Sequence, residues 1–179
     1  MKEIEVKARL RNKNSVMKKL EALGCVFSDR ITQNDVVYTE KTGSLKSFLS
    51  NKIFLRIRVN NGSKIIFTVK DRAGALVATE HEVVVDSKEE MRKIILLLGN
   101  KEAVRINKTR QTTEYNGCEI CIDKVESLGT FIEMEKMTER GDAGKIQEEL
   151  FTFFLSLGIK QEDRVKKGYD ILMLEKSGK

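Results

Sequence analysis

Glu3-Ile4-Glu5-Val6-Lys7-Ala8-Arg9-Leu10-Arg11 alternates charged and apolar residues without a break. A period of two is the signature of a β-strand with one ionic and one apolar face. The same alternation recurs along the chain. It places Arg56 and Arg58 around Ile57, Glu80 and Glu82 around His81, Lys108 and Arg110 around Thr109, and Glu133 and Glu135 around Met134, with Lys70 and Asp123 in two further strands. A half-exposed antiparallel sheet explains any one such strand. The set asks for more. These faces carry Arg, Lys and Glu with little Ser, Thr or Gln, and like charges two apart on one face lie only ~7 Å from each other.

The rest of the pattern supplies the strands and helices that would resolve this repulsion. Residues 31–39, Ile53–Asn60, Lys64–Asp71, Leu76–Val85, Ala103–Tyr115, Cys118–Val125 and Thr130–Met137 read as strands, with a hairpin at Asn116-Gly117 and another across Asn60-Asn61-Gly62-Ser63. Helices are expected from Asn14 to Leu23, from Ser87 (Ser-x-x-Glu capping box) to Gly99, from Asp142 or Ala143 to Leu157, and from Arg164 to Glu175; Glu40–Lys52 reads as a polar loop. The order β-α-ββββ-α-βββ-α-α gives an α+β protein. Eight antiparallel strands suffice to close a β-barrel, a tunnel with a charged lumen covered outside by helices. Such an inside-out barrel is stable only if its inward charges are matched.

Composition narrows the ligand. The chain has 179 residues, 34% charged and 40% apolar, with a net charge of +6. That suits one domain over residues 1–179 with a real core. There is no Trp and aromatics are 6%, so a stacking platform for nucleic acid is poorly supplied. One histidine leaves little material for a zinc site or a Ser-His-Asp triad. No apolar run approaches the ~20 residues of a membrane span. Three cysteines are too few for a disulfide framework. The expectation is a cytoplasmic protein with neither a nucleic-acid nor a membrane partner; a homodimer is left open. The inward bases (Lys7, Arg56, Arg58, Lys70, Lys108, Arg110) nearly balance the acids (Glu3, Glu5, Glu80, Glu82, Asp123, Glu133, Glu135). Two divalent cations on the acids would turn that balance to about +3 and suit a polyphosphate. Carboxylates without histidines favour Mg²⁺ or Mn²⁺.

Several other residues have quieter readings. Cys118 and Cys121 lie three apart on one strand, so they point to opposite faces and do not form a zinc or redox pair. His81, between two lumen-facing glutamates, should face outward. Phe151, Phe153 and Phe154 fit a helix core.

The ordered series resembles the CYTH superfamily, the triphosphate tunnel metalloenzymes, which include CyaB-type class IV adenylyl cyclases and thiamine triphosphatases. Glu3-x-Glu5-x-Lys7 is similar to the ExExK signature. Leu55-Arg56-Ile57-Arg58, Thr68-Val69-Lys70, Glu80-x-Glu82, Lys108-Thr109-Arg110, Asp123 and Leu128-Gly129-Thr130-Phe131-Ile132-Glu133-Met134-Glu135 follow in order. The resemblance implies that Glu3, Glu5, Asp123, Glu133 and Glu135 ligate metal. It implies that Lys7, Arg56, Arg58, Lys70, Lys108 and Arg110 hold phosphates, and that Glu80 and Glu82 orient the bases or join the metal ligands. Lys167 and Tyr169 resemble the basic-x-Tyr segment of the family's C-terminal region, although their pattern places them on a helix. The activity implied is either conversion of ATP to cyclic AMP and pyrophosphate or hydrolysis of thiamine triphosphate, inorganic tripolyphosphate or a nucleoside triphosphate. A non-catalytic polyphosphate or nucleotide binder is the third reading. The chain leans to the CyaB branch, and no general base is identified.

Overall fold

The computed structural model describes residues 1–139 and 141–178. Its strands are β1 (Lys2–Arg9), β2 (Ile31–Thr39), β3 (Ile53–Asn60), β4 (Lys64–Gly74), β5 (Val77–Val85), β6 (Lys101–Tyr115), β7 (Cys118–Val125), β8 (Gly129–Thr138) and β9 (Arg164–Val165). The helices are α1 (Lys13–Ala22), α2 (Leu45–Leu49), α3 (Lys88–Leu97), α4 (Ala143–Ser156) and α5 (Tyr169–Lys176). All pairings are antiparallel. The order β5-β4-β3-β2-β6-β7-β8-β1 is closed by β1 on β5, giving an eight-stranded barrel.

The tight turns follow from local chemistry. Asn116 and Gly117 both take positive φ, +49° and +71°, and Asn61 and Gly62 repeat this at +48° and +73°. That is the geometry of a primed two-residue turn, which matches the twist of the strands it joins. Ser87 caps α3 by accepting from the Glu90 amide, as the capping box requires.

The seam between β1 and β5 is the shortest pairing in the barrel. It has two matched positions, Glu3 with Ala78 and Ile4 with Val77, and the Glu5 amide donates to the Leu76 carbonyl at 3.0 Å. Further along the same edge of β1, Lys7 and Ala8 pair with Val165 and Arg164 of β9. This pairing corrects the expected helix from Arg164 to Glu175. The segment starts as a 3₁₀ turn (Gln161–Asp163) and an added strand, and helix begins only at Tyr169. The expected polar loop of Glu40–Lys52 also contains α2, a single turn held by buried Phe48.

Three apolar cores position the barrel. The outward face of β1, β7 and β8 (Val6, Ala8, Ile120, Ile122, Ile132, Met134) packs under α1 and α4 through Leu20, Leu150, Phe151 and Phe154. The outward face of β2 and β3 (Val36, Tyr38, Leu55, Ile57) packs under α3 through Ile95. The third core is different. Val37, Phe54, Ile106, Val125 and Phe131 share strand parity with the charged residues, so they face the lumen. They meet Phe48 of α2 and Tyr169 and Leu174 of α5. Helices therefore cover the outside as expected, and two of them also close one end of the tunnel. Among the described residues, no helix is long and apolar enough to cross a membrane.

Candidate active site

Each strand sends its alternate charged residues into the lumen, and the cross-strand register settles which of them meet. Lys7 Nζ lies 2.9 Å from Glu133 and 3.0 Å from Glu5. Arg110 forks onto Asp123, Nε–Oδ1 2.7 Å and Nη2–Oδ2 2.6 Å, and also donates to Glu133. Lys108 reaches the same Asp123 carboxylate at 2.7 Å. On the facing wall Arg56 bridges Glu80 (3.2 Å) and Glu82 (3.0 Å), and Lys70 pairs with Glu80 and with Glu3 (3.4 Å). Thr68, fully buried, donates to Glu82 at 2.8 Å and accepts from Arg56. The repulsion between like charges on one strand is thus offset by opposite charges on its neighbours.

Burial gives these contacts their electrostatic weight. Burial opposes ionisation of Glu133, yet Lys7 and Arg110 outweigh it and hold the carboxyl well below the usual range. Glu5 goes the other way. Burial, aided by Glu133 and Glu135 and only partly countered by Lys7, pushes it up to about 7. Glu135 also rises to about 7, first from burial and then from the Glu3 charge, and its carboxylate has no hydrogen bond or ion pair among the described residues. Burial raises Glu3 as well. Ligand oxygens of Glu3, Glu5 and Glu135 all lie within 4.8 Å of one another. Three crowded carboxylates that resist ionisation, offering oxygen donors alone, are a fitting seat for a hard divalent cation.

Asp123 is placed differently from those three. It is fully buried, and its two oxygens serve Lys108 and Arg110. Glu80 likewise serves Arg56 and Lys70, whereas Glu82 reaches the rim with its side chain 45% exposed. Tyr169 is buried with its ring 4.1 Å from Lys7 Nζ and 5.1 Å from Lys108 Nζ. Lys167 turns away, half-exposed, to Glu175 at 2.5 Å; only its carbonyl meets the lumen, accepting from Lys7 at 3.4 Å.

The expected opposite facing of the two cysteines holds. Cys118 joins the outer core, while Cys121 faces the lumen with its thiol 3.3 Å from Glu119 Oε1. His81 is exposed, and Phe151 and Phe154 are core. Two buried polar residues of β2 that face the lumen escaped the sequence reading. Asp35 is 4% exposed and takes both ends of the Arg58 fork; Gln33, two positions before it, is 3% exposed. Their signal was the alternation Gln33, Asp35, Val37 within β2.

A closed antiparallel barrel with matched acids and bases along its axis defines a β-tunnel protein with an ionic interior. The sequence model of the CYTH domain matches residues 1–169, and the chain belongs to the CYTH family. A Methanocaldococcus jannaschii protein named "Putative adenylate cyclase MJ0240" is 31% identical over 172 residues, spanning 94% of this chain and 97% of the relative. Among solved structures, the PH1012 protein of Pyrococcus horikoshii superposes with a TM-score of 0.79 at 27% identity, covering 96% of this chain and 99% of that one. A Hippeastrum protein, described as an adenylyl cyclase candidate with a dominant triphosphatase activity, shares the fold at a TM-score of 0.63 and 19% identity, covering 100% of this chain and 97% of its own.

Proposed function

We propose that this chain is a divalent-metal-dependent enzyme that binds the triphosphate of ATP in its tunnel and converts ATP to cyclic AMP and pyrophosphate. The observation that carries the reading is the meeting, in one lumen, of the Glu3, Glu5 and Glu135 oxygens with the buried cations Lys7, Lys108 and Arg110. A polyanion and a hard cation both find their ligands there, and neither alone accounts for the whole set. Similarity to the Methanocaldococcus protein supports cyclisation as the reaction.

In that reaction the ribose 3′-hydroxyl releases its proton to solvent, its oxygen forms a bond to the α-phosphorus, the bond from the α-phosphorus to the bridging oxygen breaks, and pyrophosphate leaves with the electron pair. Mg²⁺ or Mn²⁺ on Glu3, Glu5 and Glu135 would supply charge neutralisation and acidify the attacking hydroxyl. The protein's own part is positioning. Lys7, Lys108 and Arg110 grip phosphate oxygens, and Arg56, Arg58 and Lys70 line the opposite wall. Asp123, Glu133 and Glu80 hold those cations in place before substrate arrives, so little reorganisation accompanies binding.

The second reading is a triphosphatase acting on thiamine triphosphate, tripolyphosphate or a nucleoside triphosphate. It is favoured by the Hippeastrum protein of the same fold and by the depth of the Lys7–Lys108–Arg110 cluster, where a terminal phosphate would be immobilised. The test is incubation with ATP, thiamine triphosphate and tripolyphosphate in turn, each with Mg²⁺ or Mn²⁺, and resolution of the products. Cyclic AMP with pyrophosphate supports cyclisation, and orthophosphate release supports the second reading. Binding without turnover in either metal would overturn both and leave a polyphosphate-binding module.

A further inference from the structure

Tyr169 stands where the charged lumen meets its apolar end. Lys7 and Lys108 rest their ammonium groups on its ring, and behind it the ring packs edge-on against Phe131 with centroids 5.2 Å apart. Leu174 of the same helix and Phe48 of α2 complete the seal with Val37, Phe54, Ile106 and Val125. The tunnel is therefore blind at this end.

The Tyr169 hydroxyl is buried and has no hydrogen-bond partner among the described residues. Its ionic neighbours are already engaged: Glu133 by Lys7 and Arg110, and Asp123 by Lys108 and Arg110. A buried hydroxyl without a partner is costly, and each such group in a folded protein calls for an explanation. With two ammonium groups against its ring, at the closed end of a lumen whose buried cations and acids are paired, a hydroxyl donor left without a partner suits an anionic acceptor entering from the open end.

We propose that Tyr169 donates its hydroxyl hydrogen to an oxygen of the terminal phosphoryl group, and that its ring, backed by α5, ends the tunnel just beyond that group. The inference rests on the triphosphate reading above and adds an orientation to it. The unsubstituted phosphate enters first and lies deepest, and the organic half stays at the open mouth. A triphosphate capped at both ends has no free terminus to present to the floor and is refused.

The test compares wild-type protein with Tyr169→Phe, which keeps the ring and removes only the oxygen. Binding of two probes in Mg²⁺ is read by calorimetry: adenosine 5′-[α,β-methylene]triphosphate, and the doubly capped diadenosine triphosphate. The expected result is that the variant binds the first probe about tenfold or more weakly, the loss of a hydrogen bond to a charged group, and that neither protein binds the capped probe. Without ligand, the variant should unfold at the same temperature as wild type or a higher one, because an unmatched polar atom has been removed. Equal affinities for the first probe, tight binding of the capped probe by wild type, or a lowered unfolding temperature would each overturn the inference. Failure of wild type to bind either probe would overturn the triphosphate reading itself, a separate result.

Discussion

Arg58 holds Asp35 through one edge of its guanidinium, Nε to Oδ1 at 2.8 Å and Nη2 to Oδ2 at 2.7 Å, across the β2–β3 register. The pair is nearly dry, with side chains 12% and 4% exposed. Burial pushes the Asp35 carboxyl up, but the Arg58 hydrogen bonds and charge pull it down to about 2. A group whose folded value is depressed contributes stability above its unfolded value, near 3.8, and loses that contribution as pH falls through the folded one. The contribution at neutral pH is about 2 kcal/mol. Asp35→Ala should cost more, about 3 kcal/mol, because it strands a buried guanidinium. Urea unfolding of wild type and variant at pH 7 and at pH 2–3 checks this: the difference should shrink with acidification.

Glu5 meets the opposite conditions, and its replacement should separate folding from metal binding. Lys7 loses one partner in Glu5→Gln but keeps Glu133 at 2.9 Å. The fold should persist, with stability at pH 8 unchanged or raised by about 1 kcal/mol, since a carboxylate that is hard to ionise has gone. Mn²⁺ affinity should fall at least tenfold and turnover should disappear. Metal titration and denaturation of the same sample test both halves; normal turnover would remove Glu5 from the ligand set.

Proton linkage gives a third expectation. Glu5 and Glu135 have folded values of about 7, above the usual 4.5, so between those limits the folded, metal-free protein holds protons that the unfolded chain has released. Metal-free stability should therefore fall as pH rises from about 4.5 to 7 and then level off. Glu5 alone would contribute about 3 kcal/mol to the decline, and coupling with Glu135 would reduce the combined figure. Cations compete with these protons, so Mn²⁺ affinity should climb over the same interval. Thermal unfolding at pH 5, 6, 7 and 8, with and without Mn²⁺, measures both trends; a metal-free protein that gains stability across that range would contradict them.

The barrel was legible because strand alternation is a local signal. The spans of β2, β3 and β7 coincide with their sequence readings, and the parity of Glu3, Lys7, Arg58, Lys108 and Glu135 is enough to aim them at one axis. What stayed hidden depended on distant partners. Asp35 is a lone acid between Asn34 and Val36 until Arg58, 23 residues on, folds across from it. β9 exists only because Arg164 and Val165 find the free edge of β1. A five-residue helix such as α2 leaves too few residues for a periodicity to register. The blind end was equally hidden: alternation places Val37, Phe54 and Phe131 on the lumen side, but nothing local says that α5 will insert there and cover them.

That plug leads to a final prediction about packing. Phe131 has no exposed surface and touches Tyr169 at the tunnel floor, whereas Val84 on β5 is 60% exposed. Phe131→Ala would open a cavity that strand residues fixed by the barrel cannot collapse to fill, at a cost of about 3–5 kcal/mol. Val84→Ser should stay within about 0.5 kcal/mol of wild type. The two differ in consequence as well as size. Phe131 is the backing against which the Tyr169 ring stands, and that ring supports the ammonium groups of Lys7 and Lys108. Loosening the floor should therefore weaken tripolyphosphate binding in the fraction of Phe131→Ala that remains folded, while Val84→Ser binds as wild type does. Chemical denaturation paired with calorimetric titration decides the matter. A destabilised Phe131→Ala that still binds tripolyphosphate with wild-type affinity would show that the buried cations need no support from the apolar end.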